Sequence, residues 1–261
     1  MNETTKKNGF AVAEMTFANA CLLKKLFEAI NRPTDEPVFR ISEDAIGIRQ
    51  MDPSRVCMID YSIGKAYFEM WNVHTPGDCC FNLGEALKAV FKKISKDTRV
   101  SIFVDSKDGN VTFTLKDSRV RQRTLPMLKP QSEKLPVPKL QFDATVKMVT
   151  KQLREDLEDI ANISDHVVLK ASPKEFVIEA TGDIVKAKNT YEAESEALLN
   201  IQVTKECRAV YSLSYLTEAL VDPNLCSVIA LDFSEDMPIR TTMFSDVGEL
   251  YSWLAPRIEC E

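Results

Sequence analysis

The sequence predicts an α+β fold, two similar halves of antiparallel sheet with two helices each. Three observations carry that expectation. Displaced by 130 residues, the chain falls on itself: Leu23 over Leu153, Ile30 over Ile160, Ile48 over Ile178, Leu83 over Leu213 and Ala89 over Ala219. Within each half the apolar periodicity switches between strand and helix patterns in the same order. Between the halves lies a stretch with four prolines, Pro126, Pro130, Pro136 and Pro138.

Each half opens with an apolar strand, FAVAEMTF at 10–17 and LQFDATVKM at 140–148. An amphipathic helix follows. Its stripe is Leu22, Leu23, Leu26, Phe27 and Ile30 in the first half and Leu153, Leu157 and Ile160 in the second. A strand–turn–strand segment comes next, PVFRISEDAIGIRQMD at 37–52 and VVLKASPKEFVIEATGD at 167–183, then a further strand, KAYFEMWNV or LNIQVTK. The second helix carries Leu83, Leu87, Val90, Phe91 and Ile94 behind Asn82, with Glu85 placed as in a capping box. Its counterpart carries Leu213, Leu216 and Leu220 behind Ser212. A hairpin closes each half, VSIFVDSKDGNVTFTL turning at KDGN and CSVIALDFSEDMPIRTTMF turning at SEDMP. The prolines exclude a regular helix or a central strand from 121–140. The expected organisation is therefore an N-terminal half at 1–120, an extended linker at 121–140 and a C-terminal half at 141–261.

Composition narrows the chemistry. The chain of 261 residues is 44% apolar and 28% charged, enough for a sizeable core. No apolar run reaches the ~18 residues of a membrane span, and the start, MNETTKKNGF, has no apolar core of a signal peptide. A cytoplasmic location is expected. Seven scattered cysteines and two histidines, with no C-x-x-C pair, make a poor metal inventory. Reduced thiols packed as small apolar groups are expected, with no metal and no cofactor. Eight glycines leave little room for a phosphate-binding loop, and no nucleophile elbow is present. An enzyme is not expected, and no catalytic residue is assigned.

The net charge is −6, yet its distribution is uneven. The first helix carries Lys24 and Lys25, and the second carries Lys88 and Lys92 with Lys93 and Lys96 beyond. In the second half, KQLREDLEDI balances Lys151 and Arg154 against Glu155, Asp156, Glu158 and Asp159, and LSYLTEAL has no basic residue. Carboxylates spread along one exposed helix read as a solvated face, not an acid–base site.

Four segments in order, LKKLFEAI, GIRQMDPSRVCMI, FNLGEALKAV and the C-terminal WLAPRIE, resemble sliding clamps of the proliferating cell nuclear antigen family, its archaeal branch in particular. The likeness runs from residue 10 to the end. It implies the DNA clamp fold assembled into a ring of three, with two further subunits of the same or a related chain. Such a ring encircles duplex DNA and slides without reading sequence. It tethers DNA polymerase, flap endonuclease and DNA ligase, is placed by a clamp loader, and acts beside chromosomal DNA (nuclear in a eukaryote). By resemblance Lys24, Lys25, Lys88, Lys92, Lys151 and Arg154 face DNA, with Ser214 at the place of a common basic residue. The partner-peptide pocket falls on Met51, Met58, Leu135, Val137, Pro238, Trp253, Leu254, Ala255 and Pro256, Trp253 standing where the family usually has tyrosine. The subunit interface falls on edge strands with Val111, Phe113 and Leu115 on one side and Ile184 and Lys186 on the other. A protein-interaction scaffold that never encircles DNA, or a checkpoint-type clamp, are the competing readings.

Overall fold

The computed structural model describes residues 11–130, 135–217 and 221–257. The chain forms two compact units, one from residues up to Gln50 with Tyr61–Leu135, the other from Met51–Asp60 with Pro136 onward. In the first unit β1 (Val12–Phe17) leads into α1 (Ala20–Asn31), then β2 (Val38–Ile41) and β3 (Ala45–Met51). β4 (Cys57–Gly64), of which Tyr61–Gly64 belong to this unit, β5 (Met70–Thr75) and β6 (Gly77–Cys80) precede α2 (Leu83–Ala89), and β7 (Arg99–Asp105), β8 (Asn110–Lys116) and β9 (Val120–Pro126) close the unit. The second unit repeats this order: β10 (Ala144–Val149), α3 (Thr150–Ile160), β11 (His166–Ala171), β12 (Glu175–Thr181), β13 (Lys186–Glu192), β14 (Leu198–Val203), β15 (Cys207–Ser212), the single turn α4 (Leu213–Tyr215), then β16 (Cys226–Phe233), β17 (Ile239–Ser245) and β18 (Gly248–Leu254).

In the first unit an antiparallel sheet runs β5-β1-β7-β8-β9, and β2 pairs with β3 and β6. In the second unit the strands run β13-β12-β11-β15 and β14-β10-β16-β17-β18. The strands alternate as a half-buried sheet requires: Ala13, Met15 and Phe17 of β1 are buried while Glu14 is exposed. α1 begins where the Asn19 side chain accepts from Leu22 N at 3.1 Å, and it buries Leu23, Leu26, Phe27 and Ile30 on the sheet. α2 starts the same way, with Asn82 Oδ1 accepting from Glu85 N at 2.8 Å. Phe27, Phe91 and Phe113 meet edge-on at 5.5–6.5 Å, an aromatic core that ties α1 and the turn after α2 to β8. Five cysteines, Cys57, Cys79, Cys80, Cys207 and Cys226, are buried, and burial pushes the thiols of Cys80, Cys207 and Cys226 up to about 11. They pack as protonated apolar groups. Cys260 and Leu220 lie outside the described residues.

Several expectations are corrected. The linker does not begin at 121, because Val120–Pro126 form β9, paired residue by residue with β8 from Lys116↔Val120 to Asn110↔Pro126. Pro126 is accommodated because β9 is an edge strand, where a missing N–H costs no ladder bond. The first half is not one continuous span either, since Met51–Asp60 group with the second unit. Each unit holds more strands than the hairpin ending implied: β18, like β9, adds a third strand to its terminal hairpin, Ile239↔Leu254 to Ser245↔Gly248. α2 stops at Ala89, which leaves Lys92 in the following turn.

Candidate functional site

The tail is tied down by backbone bonds within the second unit. Ala255 N donates to Val56 O at 2.8 Å and Arg257 N to Val210 O at 2.7 Å. The Arg257 guanidinium also meets Asp165 at 2.8 Å. The segment from Met51 that receives the tail is organised by Asp52, which is buried. Its Oδ1 accepts from Val56 N at 2.8 Å and Cys57 N at 2.7 Å, and its Oδ2 accepts from Ser54 N at 3.2 Å and Tyr215 Oη at 2.9 Å. One carboxylate thus closes a tight turn in which Arg55 adopts a left-handed φ of 59°. Asp52 and Tyr215 were not among the expected site residues, although the Asp-Pro-Ser turn signal was in view.

Around this turn the expected pocket residues divide by burial. Met58, Trp253 and Leu254 are buried, Trp253 being only 6% exposed. Met51, Pro238, Ala255 and Pro256 are half-buried, and Val137 is exposed. Pro238 sits next to the pair Ile239↔Leu254, close to the tail. Leu135 belongs to the first unit, where its carbonyl accepts from Arg49 Nη1 at 3.2 Å. On β17, Arg240 lies opposite Trp253 and over the rings of Phe142 and Tyr251 at 5.2 and 5.9 Å, its guanidinium fixed on Asp232 by two bonds of 3.0 Å.

The cations sort differently from expectation. Lys24 pairs with Glu28 at 3.4 Å and Lys88 with Glu85 at 3.0 Å, exposed pairs of the kind that contribute little and break easily. Lys25 is half-exposed on α1, Lys92 is exposed, and Lys151 is exposed beside Glu155 at 3.6 Å. Arg154 is withdrawn from the DNA-facing set. Its Nη1 donates to the carbonyls of Thr217 and Val221, the latter at 3.0 Å, and its Nε to Glu158 at 2.5 Å. Those donors satisfy the backbone after α4, which is a structural task.

The interface assignment of Val111, Phe113 and Leu115 is also overturned. β8 lies between β7 and β9, so it has no free edge, and Phe113 is 0% exposed within the aromatic core. β9 is an end strand of this sheet, as β5 is at the other end, and Val120 on it is 66% exposed. Arg121, Arg123 and Pro126 on that strand were the signal, since charge and proline mark natural edges. On the other side, β13 pairs only with β12 among the described strands and is an edge, with Lys186 exposed on it. Ile184, in the turn that leads into it, is 96% exposed.

No group of three or more His, Cys, Asp or Glu among the described residues could hold a metal ion. No helix among them is long and apolar enough to cross a membrane.

Comparison with known proteins agrees over both units. The family profile of the proliferating cell nuclear antigen N-terminal domain matches residues 12–130, and that of its C-terminal domain matches residues 136–257. A DNA polymerase sliding clamp of Thermococcus gammatolerans is 30% identical over 94% of this chain and 98% of its own length. One from Pyrococcus furiosus is 27% identical over the same shares. Crystal structures of PCNA from Thermococcus kodakaraensis and Entamoeba histolytica superpose with TM-scores of 0.87 and 0.88 at 20% identity. They cover 94% and 95% of this chain and 100% of each solved chain, which fixes the fold. The chain belongs to the proliferating cell nuclear antigen family.

Proposed function

We propose that the chain is a subunit of a sliding clamp that encircles duplex DNA and holds DNA polymerase on it. The observation that carries this reading is a pair of unlike open sheet edges, β9 and β13, in a chain whose two units both match the clamp family. Joining unlike edges head to tail closes a ring when the rotation closes, and two further copies or related chains complete it. Ile184 and Lys186 lie on the β13 side of that seam, with Val120 on the other.

Lys24, Lys25, Lys88, Lys92 and Lys151 supply a modest positive lining. Phosphate contacts carry no sequence information, so such a lining holds DNA while permitting sliding. The chain then acts by topology and not by bond-making chemistry. The surface built on Met51, Met58, Val137, Pro238 and Trp253–Pro256 accepts short apolar peptides. Flap endonuclease, DNA ligase and the clamp loader are the further partners this reading implies, alongside chromosomal DNA.

The test is retention on circular DNA for the variant with Lys24, Lys25, Lys88 and Lys92 all changed to alanine. A clamp loses retention and polymerase stimulation while still binding a partner peptide. Unchanged retention favours a protein-only scaffold, in which those lysines have no task.

A further inference from the structure

The core of the first unit leaves an enclosed space of about 30 Å³ beneath α1. Leu23 and Phe27 of α1, Met15 of β1, Ile46 of β3, Cys79 of β6 and Val104 of β7 are among its walls. Every wall residue is buried, and no polar surface reaches the space. The room is about twice the ~10–15 Å³ that one water needs. A buried water also requires about two to four polar partners, and these walls give none. The Cys79 thiol is only a weak donor, and burial pushes its ionisation up, so it stays neutral. The space is therefore dry.

A closed circuit of four phenylalanines among the walls keeps the space from collapsing. Phe39 and Phe81 stack at 5.2 Å, and Phe81 meets Phe113 edge-on at 5.7 Å. Phe113 meets Phe27 edge-on at 6.5 Å, and Phe27 returns to Phe39 at 5.7 Å. Each ring is held by two others, so none turns into the gap without breaking a ring contact. Displaced by 130 residues, the same four positions hold Leu157, Leu169, Tyr211 and Met243, all buried. The second unit thus places one ring and three flexible side chains there, which adapt to irregular gaps.

Wall atoms beside an empty space lack partners on one side and forfeit dispersion contacts. A guest without polar groups restores those contacts and desolvates no polar group on entering a dry site. We propose that this space is a binding site for one small apolar molecule, a xenon atom or a short hydrocarbon, peculiar to the first unit. None of its walls belongs to the partner-peptide or DNA-facing residues. α1 nevertheless connects the two: Leu23 and Phe27 rest on the site, while Lys24 and Lys25 on the same helix are half-exposed. A guest therefore seats the helix that carries part of the positive lining. Because only the folded chain holds this space, the melting temperature rises with guest concentration.

The experiment is methyl-carbon NMR of the full-length chain over a range of xenon pressures, with helium at equal pressure as the control. Methyls of Leu23, Ile46, Ile102 and Val104 should shift and saturate, while those of Leu157 and Leu169 stay in place. Cys79→Met fills the space with a flexible thioether and should weaken xenon binding about tenfold or more. Val104→Ile gives the same test, should that variant lose native circular dichroism. Ile102→Val enlarges the space and should retain binding. No saturable shift in the unaltered chain overturns the site, as do equal shifts in both units or undiminished binding in the filled variant. Cross-peaks between water and the wall methyls overturn the dry site, and with it the class of guest. The clamp reading stands under any of these results, because it uses none of the wall residues.

Discussion

Removing the Asp52 carboxylate should cost the second unit several kcal/mol. In D52A, the Val56 and Cys57 amides and the Tyr215 hydroxyl lose an acceptor at 2.7–2.9 Å in a site that is 5% exposed. A buried group left unsatisfied costs about 1–3 kcal/mol. Water reaches the half-buried Val56 and Tyr215 more readily than Cys57, so the total comes to about 3–5 kcal/mol. D52N should be milder, about 1–2 kcal/mol, because Oδ1 still serves the Val56 and Cys57 amides and the NH2 donates to the Tyr215 oxygen, so that only the longer bond from Ser54 N is lost. Urea denaturation followed by tryptophan fluorescence and circular dichroism measures both, with the slope expected to stay constant. The same turn carries Met51 and leads into Met58, so D52A should also weaken binding of an apolar partner peptide. Stability of D52A within about 1 kcal/mol of the unaltered chain, or equal losses for Ala and Asn, would refute the reasoning, because the carboxylate would then not be organising the turn.

Other outcomes follow from the corrected assignments. Phe113→Asp buries an unpaired charge in the aromatic core and should abolish native circular dichroism of the first unit. Val120→Asp, on the exposed edge, should leave the melting temperature nearly unchanged while ring assembly is lost. Arg154→Ala should destabilise by about 2–3 kcal/mol in denaturation, through its carbonyl partners Thr217 and Val221, without altering DNA retention beyond that loss. Lys151→Ala should stay within about 0.5 kcal/mol. Hydrogen bonds from His166 first, and then from Arg257, hold the Asp165 carboxyl down to about 2. A depressed carboxyl contributes above its ordinary value of 3.8 and loses that contribution as pH falls through about 2. The tail anchor should therefore persist at pH 4 and release near pH 2, read by carbon NMR of the Asp165 side chain; a midpoint near 3.8 would count against the pair.

Much of this architecture was legible in the sequence because duplication repeats strong local signals. The stripe Leu23, Leu26, Phe27 and Ile30 with its Asn19 cap gives α1 in both sequence and structure. The recurrence at 130 residues also holds element by element, α1 with α3 and β3 with β12. β9 was missed because VRQRTLP has neither alternation nor a free choice at Pro126; it is a strand only because β8 offers a ladder. The reverse error befell β8. Val111, Phe113 and Leu115 alternate cleanly with threonines, which is the signature of a half-buried strand and says nothing about position in a sheet. Arg154 looked like Lys151 by spacing, and only the carbonyls after α4, far away in sequence, separate a structural cation from a solvated one. Likewise the Asp52 knot depends on Tyr215, 163 residues distant.

The most direct test of the clamp reading is retention on DNA of different topology. The protein, loaded by its clamp loader onto a nicked circular duplex and isolated by gel filtration, is then challenged with a restriction enzyme that cuts the circle once. An encircling ring that holds only sequence-independent phosphate contacts stays on the circle in moderate salt and slides off within minutes of linearisation. Retention that is the same on circular and linear DNA, or absent from both, would contradict the account.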